Sequence, residues 1–167
     1  MKEDAVTLTL NILFWCMEAA YVIHCLDETI AGDGFVAMVR KHFWPEYKYT
    51  MFFWFNTFLH CLNILSIILY EISGGARVVF PLTMCWLFVT NGLWHVLGSI
   101  MFKEYSPGLM TSLLYWIVMY LIIRLCFIPG QISGFDFYLS LVLGTIITVI
   151  MIGSLFIMRI RSKIKNG

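Results

Sequence analysis

The chain has 167 residues, 60% hydrophobic and 13% charged, with a mean hydropathy of +0.85 and a net charge of +1. Ten acidic and eleven basic side chains cannot coat a water-facing surface of this size, whereas a bilayer solvates an apolar exterior directly. A soluble globular domain is excluded, the charge gives no reason to expect nucleic acid, and residues 1–167 read as one all-α integral membrane bundle.

A spanning helix takes ~20 mostly apolar residues at ~1.5 Å rise each. The first such stretch is 6–25, preceded by "MKEDA" and lacking a small-residue cleavage motif. It is expected to remain in the mature protein as a helix rather than leave as a signal peptide. Residues 29–48 follow, mixing Phe35, Val36, Met38, Val39, Phe43 and Trp44 with Arg40, Lys41 and Glu46. That mixture predicts a short amphipathic segment in the membrane interface, with His42 toward the headgroups.

Four more spans are predicted at 49–70, 78–102, 109–128 and 137–158. The linkers "SGGAR", "KEYSPG" and "IPGQISGFD" are short and turn-forming, which makes neighbouring helices antiparallel. In "SPG", Ser106 is expected to cap the fourth span and Pro107 to open it. Arg124, near the far end of that span, is expected to snorkel to the headgroups. Cys16, Cys25, Cys61, Cys85 and Cys126 lie in apolar runs without paired spacing and read as small buried hydrophobes.

The basic residues orient the bundle. With the N-terminus outside, Arg40, Lys41, Lys48, Lys103, Arg159, Arg161, Lys163 and Lys165 fall inside, and only Lys2, Arg77 and Arg124 outside. An integral protein of the plasma membrane, N-terminus out and C-terminus in the cytoplasm, is expected.

Residues four apart share a helix face, about 40° from each other. His24 with Glu28, Asn56 with His60, and Asn91 with His95 therefore give three spans one chemically equipped face each. Asp27 and Asn63 extend two of these faces at i+3. Counting the rise, His24 lies close to the inner end, His95 roughly 9 Å in and His60 roughly 15 Å in. Any one pair alone is an ordinary interhelical hydrogen-bonding device. Three together predict a buried site, because ionisable groups inside a bundle must be paired, protonated or metal-bound.

His24, His60, His95 and Glu28 suit Zn²⁺ or non-haem iron. Glu28 or Asp27 would then serve as base, with Asn56 and Asn91 orienting histidines or donating to an oxyanion. Glu18 points about 120° away from His24 and is either a second partner for a histidine or a protonated packing residue. No GxSxG, Walker loop, GxGxxG or HExxH is present.

"HCLDE" at 24–28, "NGLWH" at 91–95 and "YSPGL" at 105–109 resemble the HXXEE-domain membrane proteins, over roughly residues 15–124. The resemblance implies a small polytopic membrane protein with an enzymatic centre at His24, Asp27 and Glu28 and a second block at Asn91 and His95. Asp27 stands where that motif has Glu, which leaves Glu28 as the stronger ligand or base. A weaker architectural likeness is to the small sterol-isomerase bundles, which also place His and Glu below a lipid-sized pocket.

Three functions follow as expectations. One is a metal-dependent membrane hydrolase acting on a lipid or other apolar substrate. Another is a metal-free acid/base lipid isomerase. The third is a carrier or lipid-binding protein, which would need to form an oligomer for alternating access.

Overall fold

In a computed structural model the chain is a bundle of α-helices with no strand among the described residues. The structure describes the backbone of residues 2–31 and 34–166, and the side chains of these except 2–7, 163, 165 and 166. Lys2, Lys163 and Lys165 of the charge count, and Asp33, lie outside the described side chains.

The helices are α1 (Lys2–Ile30), α2 (Gly34–His42), α3 (Tyr49–Ile72), α4 (Val79–Phe102), α5 (Leu109–Ile122, prolonged by a π-helical turn over Ile123–Phe127) and α6 (Gly134–Asn166). All but α2 are long and apolar enough to cross a bilayer, so the protein is an integral membrane protein of five spans plus one short helix. α1 runs five residues beyond the predicted end, which places Asp27 and Glu28 inside the helix. Thr29 stabilises that last turn, its hydroxyl donating to the Leu26 carbonyl at 2.8 Å. α5 opens at Leu109 behind Gly108, and no side chain caps it, so the expected Ser106 cap is not formed.

The core is built on one stripe of α1. Leu10, Phe14, Met17 and Tyr21 are buried at alternating spacings of four and three, and the same stripe continues into His24 and Glu28. α4 runs parallel to α1 in strict register. Tyr21 stacks on Phe88 with ring centroids 4.3 Å apart, His24 meets Asn91, and Glu28 meets His95. Each pair has the same sequence offset, as two parallel helices with matching three-four stripes require.

α6 attaches to the far side of α4, where backbones approach closely at Gly144. A Cβ there would lie 2.7 Å from Trp86 Cβ and 2.9 Å from the Thr83 carbonyl oxygen. Thr90 and Thr148 share a 2.7 Å hydrogen bond across the same interface. α2 lies across the end of the bundle where α1 and α4 finish. Its Arg40 Nε donates to the Tyr47 carbonyl at 2.6 Å, and its Phe35 ring sits 5.5 Å from that of His95.

Candidate functional site

At the α2 end, three fully or almost fully buried side chains converge: His24, Glu28 and His95. Glu28 Oε1 lies 3.6 Å from His24 Nε2 and 3.3 Å from His95 Nε2, and all three ligand atoms fall within 4.8 Å of one another. Tetrahedral ligands at ~2.0–2.1 Å from Zn²⁺ stand ~3.3 Å apart, so two of the spacings match such a site with little movement.

Each imidazole is held from its far nitrogen. Ser106 Oγ lies 3.0 Å from His95 Nδ1, and Thr111 Oγ1 lies 3.2 Å from His24 Nδ1. The Thr111 hydroxyl donates to Asp27 Oδ2 at 2.9 Å, so its lone pair is left to accept the Nδ1 proton of His24. On the other side Asn91 Nδ2, which can only donate, stands 3.2 Å from His24 Nε2 and 3.5 Å from His95 Nε2. His24 Nε2 is therefore the acceptor. Two Nε2 atoms and a carboxylate oxygen thus face one spot, with a hydroxyl on the far nitrogen of each ring, the outer-partner pattern of metal-ligating histidines.

Gly108 makes the convergence possible. A Cβ there would lie 2.7 Å from His24 Cε1, 2.9 Å from His95 Cε1 and 3.0 Å from Glu28 Cγ, and its φ of +95° also favours glycine. Its N–H donates to Asp27 Oδ2 at 3.2 Å. Asp27 thus acts on the loop and on Thr111 rather than at the cluster itself. The Tyr115 ring packs 5.0 Å from that of His24, and its buried hydroxyl has no hydrogen-bond partner among the described residues.

His60 lies elsewhere, and Asn56 borders the same inner cavity as Glu28 but is bonded to other partners. His60 Nδ1 lies 2.6 Å from Glu18 Oε1, while Asn63 Nδ2 donates to Glu18 Oε2 at 2.6 Å. Asn56 Oδ1 accepts from the Tyr21 hydroxyl at 2.6 Å, and its Nδ2 donates to the Phe52 carbonyl at 2.9 Å. The structure does not bring His60 to His24 and His95, because α1 and α3 are antiparallel. In the register that sets Tyr21 beside Asn56, His60 falls opposite Glu18. Glu18 takes the first of its two expected roles, as partner to a histidine.

His42 has partners of its own. Its ring stacks on Phe102 with centroids 4.3 Å apart, and its Nε2 lies 2.5 Å from Glu104 Oε1, so it also joins α2 to the α4–α5 loop, a contact the sequence did not announce. Lys41 pairs with the other oxygen of Glu104. Ser106, Gly108 and Thr111 were not among the predicted site residues. Their one sequence signal is the tightness of "KEYSPG", which must fold the start of α5 back onto the end of α4.

Two neighbouring cavities lie at this end of the bundle, the inner one against the cluster. The inner one, ≈ 90 Å³, is reached by Glu28, Asn91, Tyr21 and Thr148. The outer one, ≈ 160 Å³, lies between α2, α4 and α6. Phe35, Tyr47, Trp94, Ile152 and Leu155 border both. Burial pushes the Tyr47 phenol up to about 12, so it stays a protonated donor at neutral pH.

The family described as "Protein of unknown function with HXXEE motif" matches residues 15–123, which include every member of the cluster. No curated protein and no solved structure matches the chain.

Proposed function

The chain belongs to the HXXEE-motif family, and from that premise and the geometry of its site we propose that it is a metal-dependent membrane hydrolase acting on a lipid or other apolar substrate. One observation carries the reading: two imidazole nitrogens and a carboxylate oxygen converge in a buried spot, with outer partners holding the rings. A buried carboxylate beside unprotonated nitrogens is costly unless a cation joins them. His24, His95 and Glu28 would hold Zn²⁺, in the two-histidine, one-glutamate set of a catalytic zinc, or non-haem iron, which accepts the same donors. Either metal would supply Lewis-acid polarisation of a carbonyl and a water acidic enough to attack at neutral pH.

The chain's own groups do the rest. Glu28 borders the inner cavity, and with Oε1 turned to the histidines its other oxygen would take the proton of the attacking water. Asn91, beside it, donates to the carbonyl oxygen as negative charge develops there. Water oxygen bonds to the carbonyl carbon, the bond to the leaving oxygen or nitrogen breaks, and the proton held by Glu28 passes to that leaving group. The products are an acid and an alcohol or amine. The excess of basic side chains at the α2 end supports an orientation in the plasma membrane with the N-terminus outside and the site in the cytoplasmic half.

A metal-free acid/base reaction on a lipid, such as an isomerisation, is the second reading. It is favoured by the 3.3 Å contact of Glu28 with His95, close enough to pass a proton directly. Elemental analysis of the purified protein separates the two. Near-stoichiometric zinc or iron is expected in the wild type, absent from His95→Ala and retained in His60→Ala. Folded wild-type protein that carries neither metal and cannot be loaded with either would overturn the hydrolase reading.

A further inference from the structure

The two cavities differ in chemistry along their length. The inner one exposes Glu28, Asn91, Asn56 and Thr148, and no Lys, Arg or His is among its described lining residues. The outer one is walled by Phe, Met, Val, Leu and Ile, with a floor at Gly98 where no side chain intrudes. Several outer-wall residues also face the bilayer: Trp94, Leu97 and Met101 of α4 and Phe156 of α6 are all exposed on the exterior. A cavity whose walls are continuous with the lipid-facing surface is entered from the membrane, not from water.

The polar atoms of the inner end restrict how a substrate can lie. A carbonyl placed there would meet a donor, the Asn91 amide. The outer chamber, walled by apolar and aromatic side chains, suits one hydrocarbon chain.

We propose that the substrate is a long-chain acyl ester or amide drawn sideways from the bilayer, its single acyl chain in the α2–α4–α6 chamber and its carbonyl beside Glu28 and Asn91. This rests on the hydrolase reading for the bond that breaks, but the binding geometry is independent of it.

The test is photolabelling of the full-length protein in lipid nanodiscs with a long-chain acyl amide carrying a diazirine at its chain terminus. A short-chain acyl amide with the same head group, also carrying its diazirine at the chain terminus, is the comparison probe. The long-chain amide should mark the α4 segment 94–102 and the α6 segment 152–156, and the short-chain one should not. Leu155→Trp, at the junction of the two cavities, should abolish that labelling, whereas Leu155→Ala should keep it. His95→Ala, which removes a proposed ligand, should still be labelled. Equal labelling by both probes, or adducts spread over outward residues such as Val149 and Ile150, would overturn the proposal. Chamber labelling in a protein shown to carry no metal would instead remove the hydrolase reading and leave the acyl chamber standing. Stoichiometric metal without chamber labelling would do the reverse.

Discussion

Two Glu–His clusters stand on different faces of α1, and they are built to opposite ends. In the middle of the bundle, both oxygens of Glu18 are occupied, one by His60 and the other by Asn63, and the cluster is closed. At the α2 end, Glu28 faces two imidazole nitrogens that already have hydroxyl partners behind them, and the cluster points inward at a shared spot beside a cavity. Residue type is nearly the same. What differs is where the second hydrogen bond of each group goes: a saturated pair stabilises packing, whereas rings braced from outside by hydroxyls turn their inner nitrogens to one shared spot.

The largest contrast should come from removing each glutamate in turn. Glu28→Gln should abolish both bound metal and hydrolysis while the protein still folds, since it removes a charge from the cluster but keeps the shape. Glu18→Met should leave metal content near wild type yet lower stability by about 1–3 kcal/mol, because His60 and Asn63 lose a shared acceptor. Metal analysis and thermal unfolding in the same detergent read both effects. Equal metal loss in the two variants would erase the distinction between the clusters.

Gly108→Ala comes next. The added methyl group would crowd both histidine rings and Glu28 at once, and the positive φ would add strain of about 1–3 kcal/mol. Metal binding and activity should fall sharply, with a smaller loss of thermal stability. No comparable effect is expected from Gly74→Ala, where φ is also positive but no atom lies within 4 Å.

How much of this could be read from the chain depends on which helices are compared. His24, Glu28, Asn91 and His95 were legible because i, i+4 spacing fixes a face, and α1 and α4, two spans apart in an antiparallel chain, must run parallel. His60 carries the same spacing with Asn56, but its depth was the clue that mattered: it lies deeper than the others, at the level of Glu18. Ser106 and Thr111 were hidden for another reason. A hydroxyl's partner is chosen by tertiary packing, and "SPG" has a sufficient local explanation as a helix start. The five spans themselves needed only hydropathy, while the ends of α1 and α6 ran past the apolar runs because charged last turns can remain helical at the interface.

Asp27 offers a finer test of the outer bracing. It holds Thr111, which holds His24, and it also receives the Gly108 N–H. Asp27→Asn and Thr111→Val should each weaken metal affinity by about 10–100-fold, the usual cost of losing an outer partner. Asp27→Glu, which restores the residue of the family motif, should retain binding. Titration with a competing chelator measures this, and unchanged affinity in Thr111→Val would show that His24 needs no brace.

The smallest effect belongs to the contact that seats α2 over the site. Glu104 is held below the usual carboxylate range, chiefly by its hydrogen bond from Lys41 and then by His42, with partial burial opposing them. A depressed folded-state pKa means that the stabilisation is present above the unfolded pKa and is lost as pH falls through the folded one. The window therefore lies on the acid side of the ordinary carboxylate range, well below neutrality. Because the pair sits near solvent, salt should screen it, and Glu104→Gln should scarcely change overall stability at neutral pH. Hydrogen exchange in 34–42 should nevertheless rise modestly in that variant, and in the wild type on acidification, since α2 is tied to the α4–α5 loop through this carboxylate. If exchange there is the same in both proteins across the acid range, α2 is held by Phe35, Trp44 and the aromatic packing beneath it, and the ion pair is only a surface contact.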